Sequence, residues 1–356
     1  MTRGARNAAI VGLVGLAACA VGAFVDREAL FQAWLVTWLF LFGLSLAAMA
    51  QRYLHDITGG EWGLVLRPAL EAIAQALPVV AILVLPLAFG LRDLFAWARP
   101  EDVAASDLLQ AKSWYLNVPA FAARNAAWLL VWGALALAVR RVRNRRLAVA
   151  GLLLYLVTVT FVAVDWVASL VPDWYSTAVG IRLGAAQFAA AFAATIAVGG
   201  GGRPPATARD RQDFGNLLLT FSMTWGYFVF AQYLVVWGAD LPHETSWFLP
   251  RVQTTWRFLG IAVIATMFAV PTVLMLFRPV KRNAFALRIV CTVVLAGAWL
   301  DTAWLVLPSL RPAGTSFHWI DGAALIGQGG LWLATVMTLA RRGSIPAPTR
   351  TELVHG

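Results

Sequence analysis

The stretch "LAVAGLLLYLVTVTFVAVDWVASLV" (147–171) is a continuous apolar run broken by one charge, Asp165. As an α-helix at about 1.5 Å per residue it would be roughly 37 Å long, more than the ~30 Å hydrocarbon core of a bilayer. From Leu147 to Asp165 the climb is roughly 27 Å, which puts the carboxylate in the far third of the crossing. A carboxylate there costs about 2.5–3.5 kcal/mol to insert, so it calls for a partner or a task.

Runs of this kind recur from end to end. Of 356 residues, 60% are hydrophobic and 13% charged, and mean hydropathy is +0.71. That composition excludes a soluble domain and points to an all-α polytopic membrane protein. Ten spans are predicted, at about 7–24, 30–53, 64–90, 119–139, 147–171, 177–199, 214–237, 253–277, 283–307 and 317–340. The net charge of +10 is not a nucleic-acid signature, because the basic residues fall in alternate loops. "RRVRNRR" (140–146), "GGRPPATARDRQ" (201–212), "RPVKR" (278–282) and "ARRG" (340–343) are strongly basic. With Arg3, Arg6 and Arg52 they place both termini on the cytoplasmic side by the positive-inside rule. "MTRGARN" has no following cleavage site and reads as the start of a first span. Trp62, Trp114, Trp174 and Trp247 stand near span ends, as interfacial belts require.

The middle eight spans read as two copies of a four-helix unit. "YLNVPAFAARNAAWLLV" (115–131) resembles "FLPRVQTTWRFLGIAVI" (248–264), with an aromatic-Leu pair at the same distance before Arg124 and Arg257. Asp165 precedes Pro172 as Asp301 precedes Pro308. The expected organisation is a peripheral first helix (1–29), a first four-helix bundle (30–172, spans 2–5), a second (173–309, spans 6–9) and a peripheral last helix with a cytoplasmic tail (310–356).

Two sets of polar residues lie in these spans. Towards the outer side are Asp165, Asp301, Arg124, Arg182 and Arg257, with Tyr155 and Thr158 on the face of Asp165. Towards the inner side, span 3 carries Arg67, Glu71 and Gln75 on one stripe, and span 7 carries Asp213, Asn216, Thr220, Thr224 and Tyr227 within about 60° of one another. One reading makes these structural pairs, Arg67 with Glu71 at i,i+4 and each Asp with one of the three outer arginines. The other makes them two proton half-paths meeting near the midplane. "HDITGGEWG" (55–63) is a cytoplasmic turn whose glycines suit it, with His55 and Asp56 expected to face water. Cys19 and Cys291 read as core residues. The four histidines, His55, His243, His318 and His355, show no haem-ligand pairing, and no metal, iron–sulfur, P-loop or Ser/His/Asp motif occurs. No catalytic residue and no resident cofactor is expected.

Four blocks carry a family resemblance: "LHDITGGEWGLVLRPALEA" (54–72), "LLQAKSWYLNVPAFAARNAAWLLVW" (108–132), "DWVASLVPDWYSTAVG" (165–180) and "DFGNLLLTFSMTWGYFVFAQYLVVWGADLPHETSWFLPR" (213–251). Together they resemble the smaller NrfD-like membrane subunit of bacterial alternative complex III, the quinone-binding subunit 2 family. The resemblance runs from span 2 to the start of span 8. It implies ten spans in two bundles within the inner membrane, and a complex that oxidises quinol and passes electrons to cytochrome c or directly to a terminal oxidase. Haem c and iron–sulfur clusters would then sit on partners, namely a multihaem cytochrome c subunit and an iron–sulfur subunit. The main quinol site would lie on a larger NrfD-like paralogue. This subunit would serve assembly and proton movement. A stand-alone proton-coupled transporter and a purely structural anchor are the competing readings. Against the transporter, Pro78 and Pro86 of span 3 have no counterparts in span 7.

Overall fold

The computed structural model describes residues 2–141, 144–199, 206–239, 241–314 and 317–342. Residues 201–205 of the basic loop 201–212 and the tail beyond 342, with His355, lie outside the described residues. All regular structure among the described residues is helical. Ten segments are long and apolar enough to cross a membrane: span 1 (Arg3–Val25), 2 (Arg27–Thr58), 3 (Glu61–Phe89), 4 (Val118–Ala138), 5 (Arg145–Leu170), 6 (Val179–Gly199), 7 (Ala208–Ala239), 8 (Trp256–Leu276), 9 (Ala284–Leu310) and 10 (Trp319–Arg341). The count and order agree with the hydropathy reading. Ten crossings return both ends to one side, called here the terminal side.

Span 2 is the centre of the protein, with 94% of its apolar window enclosed. Asp26 caps its start, accepting from the Ala29 amide at 2.9 Å. It ends at Gly59 (φ +73°) and Gly60 (φ +102°), conformations in which a Cβ would be strained, so the "TGGE" turn reverses there as expected. Span 6 is the next most enclosed of the spans, and the two pack on each other. Span 2 also touches spans 3, 5, 9 and 10; span 6 also touches spans 3, 5, 7 and 9. Gly43 lets the Gln187 side chain approach span 2, since a Cβ there would come within 2.7 Å of it.

Proline chemistry shapes two spans. Span 3 is not one continuous helix. It runs as Glu61–Ala74, Leu77–Ile82 and a tight 3₁₀ turn Leu85–Phe89, with Pro78 and Pro86 starting the second and third pieces. Carbonyls near these breaks turn to span 2: Trp38 Nε1 donates to Val80 O at 2.9 Å and Trp34 Nε1 to Leu83 O at 2.8 Å. Span 8 widens into a π turn at Ala265–Ala269, just before Pro271. Spans 1 and 10 meet at bare backbone: a Cβ on Gly15 would lie 2.4 Å from Gly327 N, and one on Gly330 2.5 Å from Gly12 Cα. Span 10 also packs on span 2, where Trp332 Nε1 donates to Ser45 Oγ at 2.9 Å and Gln328 Nε2 to Trp34 O at 3.2 Å. It is therefore less peripheral than expected.

On the far side, the connection between spans 3 and 4 folds into short helices, including Pro100–Ala105 and Asp107–Lys112. It supplies Phe95 and Trp97 to an aromatic cluster with Phe121 and Trp166. Of the four expected belt tryptophans, Trp114 is exposed. Trp174 and Trp247 are instead buried, stacked 4.5 Å apart. Both cysteines are free and buried, as read.

Candidate functional site

At the terminal side, spans 2, 3 and the end of span 4 converge on Glu71. Arg67 Nε donates to Glu71 Oε1 at 2.9 Å across one helical turn, which is the predicted i,i+4 pair. Two further guanidinium groups share that carboxylate, Arg52 at 3.1 Å and Arg140 at 3.4 Å. Asp56 pairs with Arg52 and stands 3.7 Å from Arg67. Three cations thus meet two carboxylates. Arg52 is fully buried, and its Nη2 has no hydrogen-bond partner among the described residues. Burial lowers the Arg140 pKa, with Glu71 pulling the other way. His55 and Asp56 do not face water as expected. His55 is 5% exposed, packed edge-on against Trp62, with Nε2 at 2.9 Å from Gly60 O.

On the far side, Asp165 is 1% exposed and saturated by donors. Arg124 reaches both of its oxygens, Nη2 to Oδ1 at 2.9 Å and Nε to Oδ2 at 3.4 Å. The Tyr115 hydroxyl donates to Oδ1 at 3.0 Å and Asn125 Nδ2 to Oδ2 at 3.2 Å. Asn125 in turn accepts from Trp166 Nε1 at 2.7 Å. The Arg124 guanidinium lies 3.8 Å from the Tyr115 ring centre and bonds its carbonyl at 3.0 Å. The Tyr115 phenol is pushed up to about 12 by burial and by the negative charge of Asp165. A cavity of about 380 Å³ opens beside this group, its walls including Lys112, Tyr115, Ser169 and Trp174.

A second buried aspartate is paired with a different arginine. Asp301, also 1% exposed, is bonded by Arg182 of span 6 at 2.6 Å. Arg257, aligned with Arg124 in the expected repeat, points outward and lies near the Phe258 ring. The expectation that Arg257 is a buried outer charge is therefore corrected. In the expected alignment Phe248 takes the place of Tyr115 and has no hydroxyl, and Asp301 is already engaged by Arg182. The buried arginine of this connection is Arg251, which the sequence reading missed. Pro308 has no N–H for the Trp304 carbonyl, and Arg251 fills that gap: Nε donates to Trp304 O at 3.2 Å and Nη2 to Leu305 O at 2.7 Å. Nη1 donates to Trp247 O at 2.6 Å, and the guanidinium stacks 3.4 Å from the Trp247 ring centre.

The expected span-7 ladder is also corrected. Asp213 is half-buried, but Asn216, Thr220, Thr224 and Tyr227 face outward, Tyr227 with 65% exposure. Thr220 and Thr224 bond back to the carbonyls one turn earlier, and Asn216 accepts from Lys281 at 2.7 Å. The shared face exists, but it is turned away from the protein interior. The buried polar thread lies between spans 2, 5 and 6 instead. Gln51, beside Arg52, donates to Phe188 O at 2.7 Å, and the Tyr155 hydroxyl donates to Gln187 Oε1 at 3.0 Å. Thr158 follows one turn on, fully buried. Gln51 Oε1 and Gln187 Nε2 have no partner among the described residues. From Thr158 to Asp165 is roughly 10 Å of helix. Gln51 and Gln187 were missed because each is a single amide in an apolar run, with no periodic signal. Among the described residues, no three His, Cys, Asp or Glu gather as a metal would need. No family model matches this chain, and no curated protein matches it.

Proposed function

We propose that this chain is a membrane subunit of a quinol-oxidising respiratory complex of the alternative complex III type. In this reading its redox centres sit on partners: a larger homologous membrane subunit, a multihaem cytochrome c subunit and an iron–sulfur subunit. Quinol is oxidised mainly at the paralogue. We further infer that spans 2–5 and 6–9 are two copies of an NrfD-like four-helix unit meeting at spans 2 and 6, with both termini on the cytoplasmic side of a bacterial inner membrane. The sequence blocks quoted above support the family. The enclosed contact of spans 2 and 6, which open the two proposed copies, supports the repeat.

The proton task falls to the contact of the two proposed units, at spans 2, 5 and 6. The observation that carries this is the buried thread Gln51–Gln187–Tyr155–Thr158, lying between the Glu71 cluster on one side and Asp165 on the other. Its two unpartnered amide atoms are the kind of buried polar groups that ordered water satisfies. A stand-alone transporter would need helices broken at matching positions in both halves. Here span 3 breaks at Pro78 and Pro86, while span 7 is one uninterrupted helix. The test is mild purification from the native membrane. The expected result is co-elution with haem c and a second ten-span protein. Isolation of a homogeneous, active transporter without them would remove the reading.

A further inference from the structure

We propose that the far-side cavity beside Asp165 is the docking site of a water-soluble protein with a basic surface, which seats an apolar side chain in it. This rests on the reading of the chain as one subunit of a larger complex. Three separate segments wall the cavity of about 380 Å³: residues 112–116 before span 4, the last turns of span 5 from Val164, and residues 172–177 between spans 5 and 6. They place it at the end of the bundle, at the membrane surface. Its polar lining is already engaged. Lys112 donates to Pro172 O, the Tyr115 hydroxyl to Asp165 and Ser169 Oγ to Asp165 O at 2.6 Å, while Ser176 Oγ accepts from Gln232 Nε2 at 3.3 Å. What the cavity offers is apolar and aromatic contact. Trp174, buried and stacked on Trp247, is one wall, and Trp114 and Tyr175 are exposed beside it. A pocket flanked by large aromatic groups is how protein interfaces concentrate their binding energy.

The charges around it select the partner. The chain has a net charge of +10, yet exposed carboxylates gather here. Asp107 begins the short helix that ends at Lys112, Glu101 lies on the preceding helix packed against it, and Asp173 stands between the lining residues Pro172 and Trp174. None of the three makes an ion pair with a described residue. The cations of this connection are held elsewhere: Arg99 by Asp102, Lys112 on Pro172 O, and Arg92 on the helix Leu91–Leu94 that packs against span 2. Unpaired acids around an aromatic cavity complement a basic protein surface. An interfacial aromatic belt would account for Trp114 and Tyr175, but a lipid surface gains nothing from the carboxylates.

The experiment places photo-reactive benzoylphenylalanine at 113, an exposed position beside Trp114, in the complex purified mildly from native membranes. The expected product is a cross-link to one soluble, net-basic protein, with a yield that falls as salt rises from about 50 to about 300 mM. Asp107→Lys combined with Asp173→Lys should lower the yield about five-fold and Tyr175→Ala about ten-fold, with the membrane subunits retained. An otherwise intact complex that cross-links only lipid, only an acidic protein or nothing at 113 overturns the docking site alone, as does wild-type yield in either variant. A chain that purifies with no partner overturns this and the subunit reading together.

Discussion

Replacing Arg124 by Met keeps most of the side chain's apolar bulk and removes its charge. In the structure this deletes two of the four donors to Asp165, at 2.9 and 3.4 Å, and strands a carboxylate that is 1% exposed. Tyr115 and Asn125 still donate, but neither carries charge. Breaking one side of a buried pair costs about 3–5 kcal/mol. Removing both partners relieves most of that, because no charge is left uncompensated. Arg124→Met should therefore destabilise the protein by about 3–5 kcal/mol, and Arg124→Met with Asp165→Asn by well under half as much. Equilibrium unfolding in mixed micelles, run as a double-mutant cycle, measures the coupling. Arg257→Met supplies the contrast, since Arg257 is exposed and pairs with no carboxylate among the described residues; its effect should stay within about 0.5 kcal/mol. A loss below about 1 kcal/mol for Arg124→Met, or a double variant as unstable as the single one, would refute the pairing argument.

Other perturbations separate the remaining parts. Gly15→Leu should detach span 1 from span 10, because the helices touch at backbone there; cross-linking between cysteines placed on the two helices would report it. Arg251→Met leaves the Trp304 and Leu305 carbonyls without their donor and should cost about 2–4 kcal/mol, read by the same unfolding assay. The Tyr115 phenol, raised to about 12, makes a contribution to stability that is whole below pH 10 and falls as pH rises from 10 to 12. Tyr115→Phe should abolish that segment of the alkaline unfolding profile.

The fold was legible where physics leaves few choices. Ten apolar runs, the glycine turn after span 2 and the Arg67–Glu71 pair each follow from local chemistry and need no knowledge of neighbours. Span 3 was harder to read: Pro78 and Pro86 were visible, but the bonds from Trp34 and Trp38 of span 2 to carbonyls near the breaks depend on packing that the sequence does not show. The site was legible in its residue types and only partly in its partners. Asp165 and Asp301 were recognised as buried charges needing arginine, and both have one. Which arginine depends on helix rotation, which a sequence repeat does not fix. That is why the choice of Arg182 for Asp301, and not Arg257, stayed open among the three outer arginines until the helices were placed. The span-7 stripe shows the same limit. Periodicity groups Asn216, Thr220, Thr224 and Tyr227 on one face, yet nothing in their spacing says whether that face looks inward. Gln51 and Gln187 gave no signal singly, since their meaning comes from the contact of spans 2 and 6.

The most direct measurement is the proton-to-electron ratio of the purified native complex carrying Tyr155→Phe, set beside one carrying Asp213→Asn. Tyr155→Phe should lower the ratio in an assembled, electron-transferring complex, because it removes the buried hydroxyl that donates to Gln187 Oε1, while Asp213→Asn leaves it unchanged. An unaltered ratio with Tyr155→Phe, or a loss confined to Asp213→Asn, would contradict it.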